Sequence, residues 1–181
     1  DAHYYFTTNV AEGVTMDFLF ADDWNYIQKA SFGENITLNA PYLLGWTDLD
    51  IYGTVNTTYA YFNGADVVVH EGAVLNANTG EATVQVKGGT KLTVNGTVNT
   101  AILNVWVGAS NLTVSGADAK VNASWIDIWD GTPSVSVKDG ATLDVDSIKA
   151  SRGGSIAVDN ATLISDNIEL GHNGDSKGEL T

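Results

Sequence analysis

The stretch Leu92-Thr93-Val94-Asn95-Gly96-Thr97-Val98 decides the fold: an apolar–x–apolar triplet, a turn of Asn and Gly, then a second alternating run. The triplet returns as Leu112-Thr113-Val114, Val135-Ser136-Val137 and Ile156-Ala157-Val158, and Leu180-Thr181 opens it once more. Successive first residues lie 20, 23, 21 and 24 positions apart, and Val67-Val68-Val69 precedes the series by 25. The segment after each triplet recurs too, as in Lys138-Asp139-Gly140-Ala141-Thr142-Leu143 and Asp159-Asn160-Ala161-Thr162-Leu163. Most units close on a third apolar pair, read as Val84/Val86, Val105/Val107, Ile126/Ile128 and Ile168/Leu170, with Ile148 alone in its unit.

Each unit is therefore three short strands joined by Gly, Asn, Asp and Ser turns. Alternation with period two sends one side chain inward and the next outward. A three-residue strand cannot persist alone. Stacking unit on unit buries the inward column and pairs each backbone with the coil above and below. The expected fold is all-β: a right-handed single-stranded parallel β-helix (β-solenoid) with about 20–25 residues per coil. A strict six-residue repeat, the mark of a left-handed helix, is absent. An antiparallel β-sandwich also has short strands and frequent turns, but its strands do not repeat one motif at coil-length spacing.

The first residues break the pattern. Val14, Met16, Phe18 and Phe20 alternate like a strand, and Ala21-Asp22-Asp23-Trp24-Asn25-Tyr26 reads as a turn or a single helical turn. Bulky residues plug the open end of a solenoid well. Residues 1–35 are thus expected to form an N-terminal cap, 36–66 irregular first coils and 67–181 the regular coils, with a further coil expected after Thr181.

Composition narrows the function classes. In 181 residues, 44% are hydrophobic and 17% charged, which excludes a disordered polyampholyte. No apolar run approaches the ~20 residues that span a bilayer. Eight Lys and Arg stand against 22 acids, a formal charge of −14. Such a chain repels nucleic acid and anionic lipid. With no cysteine there is no disulfide framework, thiolate zinc site or cysteine nucleophile.

Three stretches carry a family resemblance: Leu92-Thr-Val-Asn-Gly-Thr-Val98, Val135-Ser-Val-Lys-Asp-Gly-Ala-Thr-Leu143 and Leu170-Gly-His-Asn-Gly-Asp-Ser-Lys-Gly-Glu-Leu-Thr181. Across residues 67–181 the chain resembles the passenger regions of autotransporter adhesins and related repeat-rich bacterial surface proteins. The resemblance implies an extracellular or cell-surface solenoid of adhesin or structural type. It would bind a host or bacterial surface glycan or protein, or associate with copies of itself. The motif encodes turns rather than a site.

The β-helix also hosts polysaccharide lyases and hydrolases, so a carbohydrate-active enzyme is the alternative. Polygalacturonase-type enzymes, which this chain resembles in fold, place an Asp pair and a Gly-His segment on neighbouring coils. Here Asp22-Asp23 and Gly171-His172 fall at opposite ends of the repeat. Lyases of this fold need a cationic base beside an acidic calcium site, and Arg152 is the sole arginine, in a turn. His3, His70 and His172 are too scattered to share a metal. Asp127/Asp130, Asp139 and Asp144/Asp146 read as solvated turn carboxylates. No catalytic, metal or cofactor site is expected, and the chain is read as non-catalytic. The sequons at Asn35, Asn56, Asn95, Asn111, Asn122 and Asn160 read as products of an Asn- and Thr-rich composition.

One arrangement suggests binding. With the third apolar pairs inward, Gln85, Trp106, Asp127, Lys149 and Glu169 form an outward column, flanked by Trp125 and Trp129. Trp106, Trp125, Asp127 and Trp129 are the candidate ligand-binding residues. Indoles beside acids and amides stack on sugar rings or bury against a partner. Packing beneath an overlying loop is the competing explanation. On the first strand, Val68, Thr93, Thr113, Ser136 and Ala157 are expected to make a flat outer face of small residues.

Overall fold

The computed structural model describes residues 36–46, 48–77, 83–171 and 178–181, with the backbone alone of the strands Thr15–Asp17, Tyr26–Ile27 and Ala30–Phe32. Among these residues every strand pairing is parallel, and no helix occurs. The chain is a β-solenoid with three faces per coil.

The triplets form the first face. It is an eight-stranded sheet built from Ala30–Phe32, Leu49–Ile51, Asp66–Val69, Lys91–Val94, Asn111–Ser115, Ser134–Lys138, Ser155–Asp159 and Glu179–Leu180. Its register pairs Val67 with Leu92, then Leu112, Val135, Ile156 and Leu180, as the repeat spacing requires. The outward column Val68, Thr93, Thr113, Ser136 and Ala157 arises from the same register.

The second and third faces share one twelve-stranded sheet. Early coils separate them, as in Thr54–Asn56 and Tyr59–Asn63. Later coils run one strand around the corner, as in Thr97–Gly108, Lys120–Gly131, Thr142–Ala150 and Thr162–Leu170. Inside that corner two hydroxyls stand among the buried apolar side chains Ala77, Ala123 and Val145 of the equivalent positions. Buried Thr57 and Thr100 donate to the carbonyls of Tyr59 (3.0 Å) and Ile102 (2.9 Å), so neither buried hydroxyl goes unsatisfied.

Between the faces lies one continuous apolar core. Leu92, Val94, Val98, Leu103 and Val105 supply it within a single coil, and Val121, Ile126, Ile128, Val135 and Val137 over the next stretch. On the second face the outward positions hold an amide ladder. Asn56 donates to Asn39 (2.8 Å), Asn76 to Asn56 (2.9 Å), Asn99 to Asn76 (2.8 Å) and Asn122 to Asn99 (2.6 Å). Each amide both donates and accepts, so one residue type can repeat from coil to coil. The ladder stops where Asp144 takes the next register position, since a carboxylate has no N–H to pass on. Lys120 lies 3.5 Å from Asp144 instead.

The third face corrects one expectation. Val84 pairs with Leu103, and Val86 with Val105. The inward pair of that coil is therefore Leu103/Val105, not Val105/Val107. Asn104, not Trp106, occupies the outward column between Gln85 and Asp127. Lys149 and Glu169 continue that column as expected. Val107 is 43% exposed with φ of 61°. The physical reason is the corner at the end of this strand. Gly88-Gly89, Val107-Gly108, Asp130-Gly131 and Arg152-Gly153 are equivalent pairs in the left-handed region, so Val107 belongs to a turn rather than a strand.

Thr15–Asp17, Tyr26–Ile27 and Ala30–Phe32 pair in parallel with Thr37–Asn39, 44–45 and Leu49–Ile51. The three-face pattern therefore already runs through this part of residues 1–35, and the rest of the expected cap lies outside the described residues. So do Asp22, Asp23, His3 and His172.

Candidate functional site: the third face

Aromatic residues gather on one face. Among the described side chains, the outward positions of the first- and second-face strands carry no Phe, Trp or Tyr. Tyr42, Trp46, Tyr59, Tyr61, Trp106, Trp125 and Trp129 all belong to the third face and its edge, Phe62 points into the core, and Tyr52 sits at the turn leaving the first face.

Three side-chain columns cross this face. The central one runs Tyr61, Gln85, Asn104, Asp127, Lys149 and Glu169. On one side stand Tyr42, Tyr59, Thr83, Ile102 and Trp125, and on the other Lys87, Trp106 and Trp129. Trp125 and Trp129 are four residues apart on one strand, so the outer columns are roughly 13 Å apart at their roots. The central column is recessed between them. Asn104 is only 6% exposed although its side chain points away from the core, and Asp127 has its Oδ1 fully covered.

The column containing Trp106 is a chain of ring and cation contacts. Trp46 and Tyr61 lie 5.8 Å apart between ring centroids. The Lys87 Nζ lies 5.6 Å from the Tyr61 ring and 4.8 Å from that of Trp106. Trp106 and Trp129 meet edge to face at 6.2 Å and 68°. The Arg152 guanidinium covers Trp129 at 5.0 Å. Edge-to-face rings and cations over indoles are both favourable electrostatic arrangements. Trp106 Nε1 is covered and makes no hydrogen bond among the described residues.

Tyr42, Tyr59 and Tyr61 form a second aromatic group, with successive centroids 6.3 Å apart. Burial first, and then the Tyr61 phenol, push the Tyr59 phenol above the usual tyrosine value.

Of the expected binding residues, Trp106 and Trp129 are brought together as register partners. Asp127 lies in the floor of the face, and Trp125, 38% exposed, stands on the opposite side of it. Sequence reasoning missed Trp46, Tyr59, Tyr61, Asn104 and Lys87. Val107 joins them: a β-branched residue in the left-handed region is an outlier worth a functional question. It leaves its apolar side chain exposed next to Trp106.

Elsewhere several polar side chains have local partners. His70 Nε2 lies 2.8 Å from Asp50, and its ring stacks on Tyr52 at 3.8 Å and 10°. Beside that stack is an open depression of about 410 Å³, with Thr37, Gly53 and Glu71 on its walls. Asp139 accepts from Ser115 at 2.7 Å. Among the described residues no group of three or more His, Cys, Asp or Glu is placed to hold a metal ion, and no helix is long and apolar enough to cross a membrane. No family model, no curated protein and no solved structure matches the chain.

Proposed function

We propose that this chain is a non-catalytic, extracellular surface solenoid of adhesin type that binds glycan along its third face. The observation that carries the reading is the segregation of exposed and half-exposed aromatics onto that face, beside a recessed floor of Asn104 and Asp127. Sugar rings offer an apolar face for stacking and hydroxyls for hydrogen bonds at their edges. Flat rings meet the first need, and the half-exposed Gln85, Lys149 and Glu169 of the central column meet the second. The first and second faces, with their small residues and Asn ladder, serve as scaffold. The likeness of the repeats to adhesin passenger regions agrees with this division of labour.

The test is a glycan-array screen of the chain beside a Trp106→Ala/Trp129→Ala variant. The wild type should bind a restricted set of glycans. The variant, still folded by circular dichroism, should bind them at least about tenfold more weakly, since two rings each contribute roughly 1 kcal/mol. A wild type that binds no glycan, or a folded variant that binds unchanged, contradicts the reading.

A further inference from the structure

The cations of this chain are few, and they are not used alike. Lys91, Lys120 and Lys138 lie within 3.7, 3.5 and 4.0 Å of Asp66, Asp144 and Asp139. These are ordinary surface pairs that solvate one another's charge, and Lys149 stands in register between Asp127 and Glu169. Lys87 and Arg152 differ. Both rest on indoles of the third-face strip, Lys87 on Trp106 and Arg152 on Trp129. Among the described residues neither has a carboxylate within ion-pair distance. In a protein of net charge −14 with 22 acids, two cations held on rings rather than on acids are an uncommon use of charge.

We infer that the glycan bound by the third face is acidic and sparsely charged, with Lys87 and Arg152 receiving its carboxylate or sulfate groups. This rests on the glycan reading above and specifies the ligand's chemistry. Lys87, Trp106, Trp129 and Arg152 stand on four successive coils. Three steps of about 4.8 Å place the two cations roughly 14 Å apart along the solenoid axis. One step is close to the length of one sugar unit in an extended chain. A glycan lying along the axis would bring neutral units over Trp106 and Trp129 and charged units to the two ends.

The charge spacing also reconciles this ligand with the acidity of the protein. A densely charged polyanion would meet the whole field of −14. An isolated anionic group is governed by charges within a Debye length, about 8 Å at physiological salt. Each cation therefore acts locally. Asp127 and Asp130 lie in the neighbouring floor and corner and disfavour anionic units between the two cations, while Lys149 stands beside Asp127 and Glu169 in the central column, off the aromatic strip.

The test is an array on which each acidic glycan is printed beside its carboxyl-reduced or desulfated counterpart, probed with the wild type and with Lys87→Met/Arg152→Gln. Both substitutions lie outside the core, and circular dichroism verifies the fold. The wild type should prefer the acidic member of its bound pairs by roughly five- to thirtyfold, and the preference should shrink as salt rises. In the variant the ratio should fall to near one. Equal wild-type binding to both members overturns this inference while leaving the glycan reading intact. A preference that survives in the folded variant also overturns it, because the cations named here are then not the receptors. Binding to neither member of any pair overturns both.

Discussion

Ile126→Asp is expected to abolish cooperative folding of the chain. Ile126 is 0% exposed and sits in a vertical row with Leu103 below and Ile148 above. An aspartate there removes the apolar contacts of a buried isoleucine, worth about 2–5 kcal/mol by analogy with truncation to alanine. It also buries a carboxylate with no cation to meet it, which adds several kcal/mol or forces the side chain to take up a proton. The sum is comparable with the whole stability of an ordinary domain. A solenoid concentrates the damage, because each coil is stabilised mainly by its two neighbours and a broken coil uncovers both. Asp127→Ala, one residue away on the opposite side of the strand, is the control. Asp127 is only half-buried, and its loss should cost no more than about 1–2 kcal/mol. Chemical denaturation followed by circular dichroism separates the two. Similar midpoints would contradict the assigned inside and outside of this strand.

Gly131→Ala is expected to cost roughly 2–4 kcal/mol without touching the core. Gly131 has φ of 107°, where L side chains are rare. A β-carbon there would also come within 2.7 Å of the Gly108 amide nitrogen and 2.8 Å of its carbonyl oxygen in the corner below. Both atoms are backbone and cannot step aside unless the two coils separate. Thr132 N–H donates to that same Gly108 carbonyl at 2.8 Å, so separation breaks a bond between coils as well. Gly72 offers the comparison: its φ is 77°, but a β-carbon there meets nothing within 4 Å. Gly72→Ala should therefore show only the backbone part of the penalty, about 1 kcal/mol. Equal midpoint shifts for the two variants would mean that the corners do not stack as described.

From Lys91 onward the first face is legible in the sequence because most of its triplets have one apolar phase, whereas Val67-Val68-Val69 is apolar in both and Ala30–Phe32 falls within the expected cap. In Leu92-Thr93-Val94 or Val135-Ser136-Val137 only one frame buries two apolar residues. The third strand of the middle coil is not. Ile102, Leu103, Val105, Trp106 and Val107 place apolar residues in both phases, so alternation alone does not choose between Leu103/Val105 and Val105/Val107. Gly108 holds the missing signal. Aligning it with Gly89, Gly131 and Gly153 fixes where each third strand ends, and Val107 then falls in the corner. The Asn ladder is similarly visible, as one Asn at the same place after the first turn of five coils: Asn39, Asn56, Asn76, Asn99 and Asn122. The aromatic strip is only half legible. Trp125 and Trp129 share a strand, but joining Trp106, Lys87, Tyr61 and Trp46 to Trp129 requires the length of each intervening turn, which varies from coil to coil.

The most direct test of the account is whether Trp106 sits on the coil next to Trp129, since the strip and everything proposed for it depend on that register. The chain has no cysteine, so paired cysteines report cleanly. Trp106→Cys/Trp129→Cys places two thiols on directly opposed positions of adjacent parallel strands, with Cα atoms about 4.8 Å apart and within disulfide range. Trp106→Cys/Asp127→Cys places them diagonally, about 8 Å apart and out of range. After mild oxidation of the monomer, the first pair should lose its free thiols and the second should keep them. Oxidation of the second pair with free thiols in the first would restore the Gln85–Trp106–Asp127 column and contradict the third-face site.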